Sequence, residues 1–340
     1  METMTDTVHE AWAAMKAEGA PRAREAAERL GISEGEFVAR GYAGECVPLR
    51  AEWEVLLARL PTLGRVMALT RNETAVSELT GEYAALQCFG AMAQVVGDPI
   101  DLRIFLRRWA FGFAVRGLQR GEVVRSLQFF DAHGGALHKV YLRSDEGVAA
   151  YDALVAAFAD ASTRARPTPR APAEPDRPDA QVDAEERHSA WSALQDTHEF
   201  FGLLRRHAVS RLQSMRLMEG RWTERVPRDC LSALLERAAA QGVPIMVFVG
   251  NEGVVQIFHG LVRRVKVIDG WVNVLDPTFN LHVLASGVSS AWRVRKPTRN
   301  GVVTSLELYD ARGENLLLAF GVRDEDKHEP QAWRDLVGGL

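Results

Sequence analysis

The chain has 340 residues, 47% of them hydrophobic and 25% charged, with a formal net charge of −4. That is a globular composition. It gives no reason to expect nucleic acid as a partner, and no run of about 18 apolar residues is present for a membrane helix.

Cys46, Cys88 and Cys230 are odd in number and form no CxxC pair. They indicate neither a disulfide frame nor a zinc site and read as small buried hydrophobes of a reducing cytosol. The N-terminus has no basic segment followed by an apolar run, so no secretory signal is expected and the location reads as cytoplasmic.

The second half repeats the first at a shift of 179 residues. Ala11-Trp12 recurs as Ala190-Trp191, Asn72-Glu73 as Asn251-Glu252, Ser126-Leu127 as Ser305-Leu306 and Asp131-Ala132 as Asp310-Ala311. His198 breaks the repeat, because it faces Gly19. A group that only one of two equivalent frames carries is a place to look for function. Residues 164–185 hold five of the 14 prolines and read as a solvated linker. The expected organisation is a first repeat (1–162), a linker (163–185) and a second repeat (186–340).

In chain order, Ala26, Ala27, Leu30, Ile32 and Phe37 predict a short helical pair around Gly31. Strands follow at 123–131 and 136–142, with a turn at His133-Gly134-Gly135. In the second copy Trp191, Leu194, His198, Phe201 and Arg205 recur at spacings of three and four, which predicts one helix with a shared apolar face, capped by Asp183 or Ser189. Strands are predicted at 245–249 and 254–258 around Gly250-Asn251-Glu252-Gly253, and at 265–268 and 271–275 around Asp269-Gly270. A meander closes the chain: 291–296, a turn from Pro297 to Gly301, 302–310, and 315–320. Helices followed by runs of strands give an α+β class, a tandem repeat in which each half is a large antiparallel sheet flanked by helices.

Two readings stand for His198: a hydrogen-bonded core histidine, or an axial ligand to a flat apolar cofactor, which aromatic neighbours would suit. Arg205, Arg206 and Arg211 follow it closely. Lys296 ends the stripe Trp292, Val294, Lys296, with Arg293 and Arg295 on the other strand face. It either snorkels to water or meets a carboxylate at the mouth of an apolar pocket. Arg323, past the last strand, is a second cation of that kind. Arg103 lies among Leu102, Ile104, Phe105 and Leu106, and reads as a surface arginine or a site residue.

Residues 26–37 have the look of the first helices of a helix-turn-helix, but Glu34 and Glu36 stand where cations are wanted, which leaves a DNA-binding regulator as a distant alternative. His259 and His282 lack partners for a metal site. No Walker A loop, GxGxxG or GxSxG is present.

Several longer segments resemble the HemS/ChuS family of bacterial hemin-degrading or hemin-transport factors. They include RNETAV (71–76), DLRIFLRRWA (101–110), THEFFGLLRRH (197–207), IMVFVGNEGVVQIFHG (245–260), GWVNVLDPTFNLHVL (270–284) and AWRVRKPTRNGVVTSLELYD (291–310). The resemblance covers nearly the whole chain. It implies haem b, as ligand or substrate, held mainly by the second repeat. It puts the proximal ligand of the haem iron on His198, a distal and possible catalytic arginine on Arg103, and propionate or rim contacts on Arg211, Lys296 and Arg323. Where some members carry a histidine after the RNE motif this chain has Ser77, and where some carry a glutamine it has Leu318. One haem per chain is therefore expected. The resemblance leaves two functions open, a carrier or an oxygenase-type enzyme that needs an external electron donor. It implies as partners a haem importer ATPase complex, a haem oxygenase or an electron donor, with no nucleic acid and no membrane insertion.

Overall fold

The structure is a computed structural model and describes residues 2–19, 21–119, 121–163, 165–172, 174–323 and 327–340. The first half runs α1 (Glu2–Ala17), α2 (Ala23–Arg29), α3 (Glu34–Ala39), β1 (Glu45–Pro48), α4 (Trp53–Leu57), β2 (Val66–Arg71), β3 (Ala75–Gly81), β4 (Leu86–Phe89), β5 (Met92–Val95), β6 (Asp101–Phe105), β7 (Phe111–Gln119), β8 (Glu122–Phe130), β9 (Ala136–Leu142) and α5 (Val148–Phe158). The second runs α6 (Ala184–Ser192), α7 (Glu199–Arg206), α8 (Arg211–Leu217), β10 (Thr223–Val226), α9 (Cys230–Gln241), β11 (Ile245–Gly250), β12 (Val254–Gly260), β13 (Val265–Ile268), β14 (Trp271–Leu275), β15 (Phe279–Leu284), β16 (Ser290–Thr298), β17 (Gly301–Tyr309), β18 (Asn315–Gly321) and α10 (Gln331–Gly338).

Two nine-stranded sheets form, in the orders β1-β7-β8-β9-β2-β3-β15-β14-β13 and β10-β16-β17-β18-β11-β12-β6-β5-β4. The long pairs β7–β8 and β16–β17 are antiparallel and obey the repeat, with Gly117 opposite Val124 and Lys296 opposite Val303. The expected α+β tandem repeat is thus observed. The expected turn at Pro297 to Gly301 is tighter than predicted, because Pro297 and Thr298 still pair with β17. Proline is tolerated there because β10 ends opposite Ala291 to Val294, so the ladder bond that Pro297 lacks has no partner strand to serve.

The chain divides into two compact units, and each includes a short segment from the other half. The first comprises residues 1–70, 79–171 and 251–255, and the second 71–78, 172–250 and 256–340. In the second unit Asn72 Oδ1 accepts from Thr74 N (3.1 Å) and Ala75 N (2.8 Å), while its Nδ2 donates to Gly250 O (3.1 Å) and Leu316 O (2.8 Å). In the first, Asn251 Oδ1 accepts from Gly253 N and Val254 N, and its Nδ2 donates to Leu137 O (2.8 Å). An asparagine suits each turn because one short side chain supplies both acceptor and donors.

Within the second unit α6, α7 and α8 pack on β16 and β17. Trp191, Phe200, Leu203, Met215, Met218, Trp292, Val294 and Tyr309 form this core. Trp191 Nε1 donates to Arg295 O (2.9 Å), so the indole is both packed and polar-satisfied. In the first unit Val38, Phe113, Val115 and Phe130 occupy the corresponding layer.

Candidate functional site

The predicted single helix through Trp191, His198 and Arg205 is two helices. Asp183 caps α6, accepting from Glu185 N and Glu186 N, and the helix ends at Ser192. Asp196 then competes with the helical backbone, accepting from His198 N (2.8 Å). Glu199 Oε2 accepts from Gln195 N (2.9 Å), and α7 begins at Glu199 with His198 as its N-terminal flanking residue.

His198 is therefore not a core residue on an apolar helix face, since 88% of its side chain is exposed. Asp196 Oδ1 bonds its Nδ1 at 2.7 Å, which leaves Nε2 as the free nitrogen. Phe201 and Arg205 do share its face. Phe201 is 66% exposed, and the Arg205 guanidinium lies 6.0 Å from its ring centre. Phe200 points the other way, into the core against Trp191. A groove of about 410 Å³ runs along the adjoining face of α7, lined by Ala190, Leu194, Glu199, Gly202, Leu203 and Arg206.

Below Phe200 stands a charge cluster. Glu307, on β17, is fully buried and takes five hydrogen bonds. Arg211 supplies two, Nε to Oε2 and Nη2 to Oε1, both at 2.8 Å. Lys296 Nζ donates to Oε1 at 2.7 Å, Ser305 Oγ to Oε1 at 3.1 Å, and Tyr309 Oη to Oε2 at 2.6 Å. Ser210 caps α8 and so fixes the start of Arg211's helix. Phe200 roofs the cluster, 5.2 Å from the Arg211 guanidinium and 4.7 Å from Lys296 Nζ.

Lys296 thus meets a carboxylate rather than snorkelling, and the carboxylate is the protein's own. Burial pulls the Lys296 pKa down to about 8 against the opposing pull of Glu307. Burial alone would raise Glu307, but Arg211 and Lys296 outweigh it and hold the carboxyl well below its usual range. Burial also drives the Tyr309 phenol up, with Glu307 adding to the effect. Two cations and one carboxylate leave the cluster with one uncompensated positive charge.

Arg323 is half-buried and its charge acts on Asp196, the partner of His198. Arg103 belongs to the first unit, where Nη1 donates to Asp101 Oδ1 and to Leu102 O on β6. The structure therefore joins Arg211 with Lys296, and Arg323 with His198 through Asp196. Among the described residues no three His, Cys, Asp or Glu side chains converge as a metal cage, so His198 is a single donor.

The helix-turn-helix look of 26–37 corresponds to α2 and α3, but α3 carries no cation. Its Glu34 is buried in an ion pair with Lys139, and its Glu36 is paired with Arg40. Ser77 is buried and accepts from Gln256 Nε2 (3.0 Å).

Two functional features escaped the sequence. Glu307 reads as one strand residue among many in VVTSLELYD, although a charge in a strand buried on both faces demands partners. The break before His198 was foreshadowed by the first copy, where Gly19-Ala20-Pro21 stands opposite His198-Glu199-Phe200.

A two-unit α+β protein with a carboxylate-oriented imidazole and a buried cationic cluster, both in the second half only, belongs to a class built from a tandem repeat. A family model described as the haemin-degrading HemS.ChuX domain matches residues 31–158 and 208–340, once in each half, and the chain belongs to this family. Arg211, Lys296, Glu307 and Arg323 lie within the matched segments, whereas His198 falls between them.

The hemin transport protein HmuS of Yersinia pestis is 38% identical over 94% of this chain and 92% of its own length. HemS of Yersinia enterocolitica, also a hemin transport protein, is 36% identical over 99% and 98%. Among solved structures, holo-PhuS, a heme-binding protein from Pseudomonas aeruginosa, superposes with a TM-score of 0.92 at 43% identity, covering 97% of each chain. The heme degrading enzyme ChuS of Escherichia coli O157:H7 superposes with a TM-score of 0.88 at 34% identity, covering 98% of each.

Proposed function

We propose that the protein binds one haem per chain through its second repeat, in the cytoplasm, and passes it on within haem uptake and iron acquisition. The observation that carries this reading is His198: an exposed imidazole whose Nδ1 is held by Asp196 and whose Nε2 is free. Iron-ligating histidines are commonly oriented in this way by a carboxylate on the other ring nitrogen. The donor set fits haem, with a neutral nitrogen ligand, an exposed phenylalanine on the same face, and cations suited to carboxylates.

The residues divide the work. His198 Nε2 is the iron ligand. Arg211 and Lys296 offer their one uncompensated charge to a propionate, and Arg323 is a further cation on the His198 side. Glu307 keeps the two buried cations in place before a ligand arrives. For Arg103, as distal donor to a ligand on iron, the support is the resemblance alone. Bound haem would supply an iron centre able to take a second axial ligand. The partners are the source that supplies haem, a haem importer ATPase complex, and the acceptor, a haem oxygenase.

A second reading, degradation with release of iron, is favoured by the name of the E. coli neighbour, a heme degrading enzyme. The two readings are separated by turnover. The haem complex is incubated with ascorbate, or with NADPH, a reductase and an electron donor, in the presence of catalase. Soret absorbance that persists supports delivery. Soret loss with a defined tetrapyrrole product, surviving catalase, contradicts it and establishes the enzyme.

A further inference from the structure

Arg187 on α6 is fully buried, yet only Nη2 has a partner, donating to Ser214 Oγ. Nε and Nη1 meet no acceptor. The charge that acts on this guanidinium is of like sign: Arg177, in the linker, reinforces burial in pulling its pKa down to about 10. His207, at the end of α7, is also largely buried with Nε2 unpartnered, and burial, Arg187, Arg206 and Arg177 all depress its pKa.

The nearby carboxylates are engaged elsewhere. Asp176 and Asp179 bind Arg216, Asp179 also binds Gln213, and Glu185 binds Arg221. Glu186 acts on His207 but is exposed and makes no bond to Arg187. Gln213 turns its amide nitrogen to Arg177 O and Asp179, so its idle Oε1 is an acceptor that no Arg187 N–H reaches.

A buried cation with two idle nitrogens beside a second cation is costly to hold. Water would satisfy the N–H groups but leave the repulsion between Arg187 and Arg177. A small anion offsets the repulsion and satisfies one of the idle N–H groups. We propose that Arg187, His207 and Arg177 form a binding site for a small oxyanion of the phosphate type, separate from the haem residues. Nε–H and Nη1–H leave opposite edges of the guanidinium, so such an ion takes one of these N–H groups together with the unbalanced charge. His207 Nε2 supplies a second contact.

Arg177 lies at the solvent-exposed linker and donates to His207 O, so the anion would also tie the linker to α6 and α7. The first copy has Val8 and Glu28 at the positions of Arg187 and His207, so the site belongs to the second half alone.

The test is the thermal midpoint of the full chain in a zwitterionic buffer, titrated with inorganic phosphate, sulfate or acetate, with ionic strength held constant by chloride. A ligand that binds only the folded state raises the midpoint. The expected result is a saturable rise with phosphate, weaker with acetate, that Arg187→Met abolishes while the haem Soret spectrum stays unchanged. In phosphate-free buffer Arg187→Met should melt no lower than the parent, because it removes an uncompensated charge. If Arg187→Met does not fold, Arg177→Gln, at an exposed position, should raise the half-saturating phosphate concentration by about tenfold. No phosphate response in the parent, or an equal response in parent and variant, would overturn the proposal.

Discussion

The two repeats place matching backbone under opposite chemistry. Arg211, Lys296, Glu307 and Tyr309 of the second half stand where the first has Ile32, Gly117, Gln128 and Phe130, while Ser305 and Ser126 match. Ser305 donates to Glu307, whereas Ser126 accepts from Gln128 Nε2 at 3.0 Å. The first half has also closed the space. A Cβ on Gly117 would meet Ala43 O at 2.6 Å, so no lysine fits there. Away from its own buried Glu34–Lys139 ion pair, it carries a buried group that stays neutral. His138 lies between Thr70 Oγ1 (2.9 Å) and Tyr83 Oη (2.6 Å), and burial drives its pKa down to about 3. At these matched positions one copy therefore keeps a buried charge cluster, and the other fills the space with uncharged groups.

The largest effect that would break this comparison is at Glu307. Glu307→Leu leaves Arg211 and Lys296 without a counter-ion, and the unfolding free energy in urea should fall by roughly 3–5 kcal/mol. A loss comparable to that of a surface substitution would show that the cluster is not held by Glu307.

Acid should act on the first half through His138. His138 stays neutral when folded down to about pH 3 but titrates near its ordinary value when unfolded. The unfolded state binds more protons between these values, so stability is lost as pH falls from about 6.5, by up to about 1.4 kcal/mol per unit. His138→Gln should flatten that slope in urea midpoints measured between pH 7 and 4.5, and an unchanged slope would reassign it.

Base should act through the second half. Lys296 loses its charge above about pH 8 in the ligand-free protein. A bound propionate favours the charged form, so haem affinity should weaken as pH rises beyond 8, by up to about tenfold per unit. Lys296→Met should bind more weakly at pH 7 and lose the alkaline limb. If the limb persists, Lys296 is not a propionate partner. The smallest effect belongs to the neutral counterpart: Gln128→Leu should cost less than about 1 kcal/mol, since it removes one modest hydrogen bond and an already idle oxygen.

Patterning and turn chemistry were legible in the sequence. The Asp269-Gly270 hairpin, the strands of the meander β16–β18 (though not the length of its first turn), the short helices around Gly31 and the buried stripe Trp292, Val294, Lys296 follow from them. Three features were not legible, each for a physical reason. The break before α7 depends on Asp196 outcompeting helical bonds, which periodicity does not weigh. The partner of Lys296 lies 11 residues on, across a strand pair, and no local spacing reveals it. The grouping of 71–78 with the second half and 251–255 with the first is hidden by the repeat, because both turn segments carry the same Asn-Glu and either would suit either frame.

The central claim is that one half alone is the haem site, with His198 on iron. It is tested most directly by titrating hemin into the ligand-free protein and following the Soret band, for the parent and for His198→Ala. The expected result is a break at one haem per chain, and for His198→Ala a shifted Soret band and weaker binding with an unchanged urea midpoint. Two equivalent haems per chain, or a His198→Ala spectrum identical to the parent at matched loading, would contradict it.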